Sequence, residues 1–281
     1  MPSAAGGRPD CGRVGAEVRA WAPKTTAAGR LLVSAAGAVS AALSSVFLLD
    51  PVPHLMRQYV PRRDVELRRG ADNLSAVVAH LRESRPGGGF QRLEQLVAGM
   101  PEFTVQAIDQ VTTGLGDVQL VLMEAGYHGR VHEVPARLLS DGMLRFLAFG
   151  TALLDEPETP VAERLLVIEE IENGLYPTQA ARVLDLVREE SRNRAVDVLF
   201  TTHSPALLNS LTAEDHPGVI VCTRDPESGE SVLSRLTDLP GYVDLLAAGD
   251  LGDAVSKGRL SDALASHRPD ASSVEEFLRN L

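Results

Sequence analysis

The chain has 281 residues, 44% of them hydrophobic and 23% charged, a composition that suits a folded domain with a sizeable core and excludes a disordered chain. Its net charge of -11 excludes a chain-wide basic surface for nucleic acid and leaves only a local arginine patch open. Two cysteines, Cys11 and Cys222, supply neither a disulfide framework nor a zinc site, so a reducing cytoplasm is the expected compartment.

In chain order, residues 1–30 are rich in Gly, Ala, Pro and Arg and read as a loose leader. Leu31–Leu49 carries no charge and approaches the length of a membrane span, but Ser34, Gly37, Ser40, Ser44 and Ser45 dilute it. The expectation is a buried helix over 31–43 running into a buried strand, Val46–Leu49, with no membrane. Asp50-Pro51-Val52-Pro53 is a turn, because proline restrains both itself and the residue before it. Asn73–Ser84 has helical apolar spacing, with Asn73 or Asp72 as its cap. Glycines then break the chain, and Phe90–Met100 forms a second amphipathic helix ended by Pro101.

Val118–Glu124 and Val131–Val134 read as two strands joined by a glycine-bearing turn. His128 and His132 lie four apart there, but no further ligand is near, so they are not read as a metal pair. Leu138–Arg145 then leads into an apolar helix, Phe146–Leu154. Ser140 and Gly142 at its start would expose N–H groups at the positive end of the helix dipole. That is an anion site or, more plainly, a capped helix.

Leu165–Ile168 is an apolar run suited to a parallel strand, and it ends in two acids, Glu169 and Glu170. Open α/β sheets place ligands at that edge. Adjacent side chains point to opposite faces, so one acid can serve magnesium while the other polarises water. Glu172-Asn173-Gly174-Leu175-Tyr176-Pro177 turns into a helix over about 178–192. A second strand, 196–201, ends at Thr202-His203-Ser204-Pro205, with Ser204 and Pro205 starting another helix. His203 thus falls at the C-terminal edge of the neighbouring strand, where it could sense a γ-phosphate. Val219–Thr223 and Ser231–Leu236 read as closing strands and Tyr242–Ala248 as a small helix.

The order Leu-Ser-Asp-Gly-x-x-Arg, then an apolar strand with Glu-Glu-x-Glu-Asn-Gly-Leu-x-Pro, then Thr-Thr-His-Ser-Pro resembles the ABC-type, AAA-family ATPases related to RecF, SMC and OLD. The core of the resemblance is 138–208. Weaker likeness covers Asp50-Pro51, Met56-Arg57-x-Tyr59, Gly70-Ala71-Asp72-Asn73-Leu74 and Leu251-Gly252-Asp253 with Gly258. Tyr176 and Ile171 depart from the family pattern, where histidine and proline are common.

The resemblance implies an α/β, P-loop NTPase-like head with a parallel sheet flanked by helices. It implies a leader with a first buried helix over 1–44, an ATPase-like domain over 45–260 and a tail over 261–281. It implies ATP and Mg2+ as cofactors, held in a nucleotide-sandwiched homo- or heterodimer. Ser140, Gly142 and Arg145 match the signature motif that meets the opposite subunit's γ-phosphate. Glu169 matches the Walker B metal acid and Glu170 the catalytic glutamate. Glu172, Asn173 and Gly174 match the D-loop, and His203 matches the switch histidine. Relatives couple turnover to DNA repair, chromosome handling or phage defence, which implies a nuclease or DNA-processing partner.

One family element does not occur in the 281 residues. Of the 27 basic residues only Lys24 and Lys257 are lysines, and Pro23 and Ser256 precede them, so there is no Gly-x-x-x-x-Gly-Lys-[Ser/Thr] loop. The expectation is therefore a fold incomplete at its N-terminal lobe, with the phosphate loop encoded upstream. Two alternatives stay open: a subunit lending its signature motif to a partner that bears the loop, and a membrane-anchored or structural protein using 31–49.

Overall fold

The computed structural model describes residues 27–84, 88–100, 104–126, 130–155, 164–194, 196–225, 228–247, 249–260 and 264. Its helices are α1 (Ala27–Ser45), α2 (Pro53–Met56), α3 (Leu74–Ser84), α4 (Gly89–Ala98), α5 (Asp141–Leu154), α6 (Pro177–Arg194), α7 (Pro205–Asn209), α8 (Tyr242–Ala247) and α9 (Leu251–Ser256). Its strands are β1 (Val46–Leu49), β2 (Val60–Pro61), β3 (Val105–Thr112), β4 (Asp117–Ala125), β5 (Val131–Pro135), β6 (Arg164–Ile168), β7 (Val196–Phe200), β8 (Ile220–Arg224) and β9 (Ser231–Arg235). The expected helices and strands are present within a few residues of their boundaries. His128 lies outside the described residues, as do most of the leader and the tail.

The chain divides into two compact units, one of Met1–Leu175 with Asp185–Thr201 and the other of Tyr176–Leu184 with Thr202–Leu281. In the first, β1, β6 and β7 form a parallel sheet in that order, the α/β arrangement expected of a P-loop NTPase-like fold. Register puts Phe47, Leu49, Leu166, Ile168, Val198 and Phe200 on one face, and Phe47, Leu49, Leu166 and Ile168 are buried there. The other face carries Val46, Leu48, Leu165, Val167 and Leu199, and it is only partly covered: Leu199 is 51% exposed. Parallel sheets normally cover both faces. β7 is also an edge strand among the described residues.

α1 corrects one expectation. It forms as expected and runs directly into β1, but it is not buried: Leu31, Leu32, Val39 and Leu43 are exposed, Leu31 by 72%. Alanine and serine dominate it, and such small side chains gain little from burial. No helix among the described residues is long and apolar enough to cross a membrane.

A second sheet in this unit is antiparallel, ordered β2–β4–β3 with β5 also on β4. β4 is its core, with Val118–Leu122 all buried. α3 and α4 pack on this sheet, and Ser75 of α3 accepts a hydrogen bond from the Leu120 N–H at 3.0 Å. Phe146 and Phe149 of α5 are among the largest fully buried side chains. β3 escaped the sequence reading because its register shifts between Val105 and Ala107, which breaks the alternation of period two.

Asn73 also behaves differently from a cap. It is fully buried, and its amide nitrogen donates to the carbonyls of Asp64 at 2.8 Å and Glu66 at 2.6 Å. Its carbonyl oxygen accepts from the Arg68 N–H at 3.1 Å. The side chain therefore pins the preceding loop instead of satisfying α3's own first N–H groups.

The second unit holds the β8–β9 hairpin, α7, α8 and α9. Gly252 of α9 meets α7 so closely that a Cβ would lie 1.9 Å from the Pro205 carbonyl oxygen. The same glycine's N–H donates to Asn209 Oδ1 at 2.7 Å. Buried His216 shares a 2.8 Å hydrogen bond through Nδ1 with the Tyr242 hydroxyl.

Candidate functional site

The apolar run of β6 stops at Ile168, and the chain then wraps around the end of β7. The Thr201 N–H donates to the Ile168 carbonyl at 3.1 Å, and the Ile171 N–H returns a bond to the Thr201 carbonyl at 3.1 Å. Ile171 is fully buried and anchors the turn, and Glu169 and Glu170 are both exposed just past the strand end. An apolar residue where the family commonly has proline therefore keeps the turn in place by packing.

Glu170 sits in the left-handed region, at φ 48°. For a residue with a Cβ this costs about 1–2 kcal/mol and persists only where the surroundings hold it. Three bonds do so. The Glu170 N–H donates to Thr201 Oγ1 at 3.0 Å, its carbonyl accepts from the Asn173 N–H at 2.8 Å, and Asn173 Nδ2 donates to Glu170 Oε2 at 3.4 Å. Asn173 thus holds the glutamate at both backbone and side chain. Thr201 is a site residue that the sequence reading passed over, because a threonine closing a β-branched strand carries no separate signal.

Gly174 follows at φ 75°, with Arg145 alongside. A Cβ on this glycine would lie 3.5 Å from Arg145 Cδ and 3.6 Å from Nε, which is ordinary contact. Space is therefore no obstacle, and the backbone angle alone makes glycine the favoured residue. Gly174→Ala is expected to cost about 1 kcal/mol in thermal unfolding, from the left-handed angle alone. The stem of Arg145, in the second turn of α5, thus lies beside the loop after β6.

At the start of α5, Ser140 is the N-cap, and its Oγ accepts from the Met143 N–H at 3.2 Å. The capping reading of Ser140 is thus observed. Gly142 is buried in the first turn, while Ser140 is exposed. His203 belongs to the second unit and is exposed. The Ser204 N–H beside it donates to Thr202 Oγ1 at 3.0 Å, and Ser204 Oγ caps α7 by accepting from the Leu207 N–H at 3.3 Å, with Pro205 at the first helical position.

Among the described residues no three His, Cys, Asp or Glu side chains converge as a self-sufficient metal site. Magnesium does not require one, since it is commonly held by one or two carboxylates together with nucleotide phosphates and water. Exposed Glu169 fits that share. The lysine and glycine-rich cradle for the phosphates themselves is not among the 281 residues.

Residues 23–209 match the family model described as "AAA domain, putative AbiEii toxin, Type IV TA system". The chain belongs to this AAA family. The match spans the strand β6, its two acids and the Thr-Thr-His-Ser-Pro segment from which the ATPase resemblance was read. No curated protein matches this AAA chain. Among solved structures, it is 14% identical to one described under ATP-driven dimerization and DNA-stimulated activation of SMC ATPases (TM-score 0.36, covering 52% of this chain and 82% of that one). It is 15% identical to an SmcHead bound to the C-winged helix domain of ScpA (TM-score 0.44, 69% and 56%). It is 12% identical to an Smc head domain with an extended coiled coil, bound to the C-terminal domain of ScpA derived from Pyrococcus furiosus (TM-score 0.38, 81% and 49%). The AAA chain therefore spans about half the length of the last two.

Proposed function

We propose that the chain is the ATP-hydrolysing head of an ABC-type AAA ATPase that works as a dimer around nucleotide. The observation that carries this reading is Glu170, an acid held in a costly left-handed conformation by Thr201 and Asn173 at the end of a parallel strand. Glu169 would serve magnesium, Glu170 would orient the attacking water, and His203 would read the γ-phosphate. Ser140 and Gly142 would meet the phosphate of the opposite subunit, and Arg145 would support the D-loop residues Asn173 and Gly174. Bound magnesium would supply charge neutralisation across the phosphates.

The phosphate loop must then come from polypeptide beyond these 281 residues. Among the described residues β7 is an edge strand and the face bearing Leu199 is half-covered, which supports this, since a parallel sheet needs cover on both faces. A reducing cytoplasm suits exposed, free Cys222. A nuclease or DNA-processing partner belongs to the same reading. The test is ATP binding and hydrolysis by the full chain, alone and with a phosphate-loop-bearing segment read from the adjoining gene sequence. ATP turnover in neither form would sink the reading.

A second reading is a subunit that lends its signature turn to a partner's ATP. It is favoured by the lack of a lysine for a phosphate loop in a chain whose Ser140 turn is well formed. It expects stimulation of the partner's ATPase and loss of that stimulation, by about tenfold or more, in Ser140→Arg, which blocks the N–H groups. Unchanged stimulation would exclude it.

A further inference from the structure

We propose that Arg57 is a positioning residue for the turn at Ser140–Gly142, acting through Leu139 and Asp141 without itself touching nucleotide. This rests on the ATP-site reading above and adds a residue to which that reading gives no part. Arg57 closes the single-turn helix α2, and its Nη2 donates to the Leu139 carbonyl at 2.8 Å and to Asp141 Oδ1 at 2.6 Å. Its own carbonyl accepts from Gln119 Nε2 at 2.7 Å, and Gln119 is buried in β4. The backbone of Arg57 is thus fixed from the antiparallel sheet while its side chain fixes the start of α5.

Two consequences follow for an approaching phosphate. Leu139 immediately precedes the N-cap, so holding its carbonyl fixes the plane of the Leu139–Ser140 peptide and the direction of the Ser140 N–H. Asp141 occupies the first helical position, where its charge suits the dipole of the free helix but repels any anion reaching the same N–H groups. Arg57 cancels that repulsion. The pair adds little to stability, because exposed ion pairs contribute little: the Asp141 side chain is 64% exposed. The Arg57 side chain is only 25% exposed, which suits a fixed positioning role.

The experiment uses the full chain and two readouts: amide hydrogen exchange at Met143 and Leu144, and binding of Mg-ATP in the presence of the phosphate-loop-bearing segment. Arg57→Ala should speed that exchange roughly tenfold with β6 and β7 unchanged, and should weaken Mg-ATP binding roughly tenfold, as for loss of a charge-assisted bond. Adding Asp141→Asn should restore affinity to within about twofold while exchange stays fast, because the repulsion is gone but the carbonyl is still unheld. Arg57→Lys, which keeps charge and donors, should stay close to the parent in both readouts. A purely structural role would leave the double variant no better than Arg57→Ala in affinity, and that result overturns the proposal. So does unchanged exchange in Arg57→Ala. If the parent chain binds no Mg-ATP even with that segment present, the ATP-site reading fails and the charge argument fails with it, while the exchange result still decides whether Arg57 positions the turn.

Discussion

Glu170→Gln should lower ATP hydrolysis by about a hundredfold or more, the scale of a lost general base, while leaving ATP bound. The amide is the same size, so the left-handed backbone and the Thr201 bond persist, and only the carboxylate's action on water is removed. Turnover halted with nucleotide in place should also trap the dimer, visible by light scattering with Mg-ATP. Glu170→Gly should be equally inactive but different in stability. Glycine adopts φ 48° without strain, so this variant should unfold later than Glu170→Gln by up to about 1 kcal/mol, the relieved strain less the extra entropy of an unfolded glycine. Near-parental hydrolysis in Glu170→Gln would remove this residue from the chemistry. Equal stability of the two variants would mean that the left-handed angle stores no more strain than the extra entropy of an unfolded glycine offsets.

Asn73→Ala should destabilise the first unit by about 3 kcal/mol, lowering its thermal midpoint by roughly 6–12 °C. Truncation leaves the carbonyls of Asp64 and Glu66 and the Arg68 N–H without a buried partner. The informative comparison is Asn73→Asp. Were Asn73 a helix cap, aspartate would serve equally well. In the observed role it should cost at least as much as alanine, because a carboxylate cannot donate to two carbonyls and is buried against them. A stable Asn73→Asp variant would restore the capping role. Ion pairs of Arg68 with Asp64 and Asp72 border this loop, and both aspartates hold the Arg68 guanidinium above its ordinary value. These groups are solvent-facing, so the loop's stability should depend on Asn73 far more than on salt.

Much of the site was legible in the sequence because its signals are local. Four apolar residues followed by two acids specify a strand and its end. Ser204-Pro205 specifies a helix start, and Ser140 three residues before Met143 specifies a cap. These features depend on neighbours within a few positions, where propensity and hydrogen-bonding chemistry decide the outcome. β3 was not legible because a register shift erased its alternation. The burial of α1 was misjudged because an uncharged helix looks the same in sequence whether or not anything packs over it.

By itself, then, the amino-acid sequence determined the order of the elements, the two acids that follow β6, the capped turn at Ser140, the place of His203 after β7, and the want of a lysine for a phosphate loop. Only the tertiary structure decided that Thr201, from the neighbouring strand, holds Glu170 in a left-handed conformation. Only it brought Arg57 to Asp141, 84 residues away, and turned Asn73 toward the preceding loop. Each of these is a pairing set by how sheets and helices stack, and no short-range pattern encodes the partner. A backbone carbonyl or hydroxyl has the same chemistry everywhere in the chain, and packing alone selects which donor reaches it.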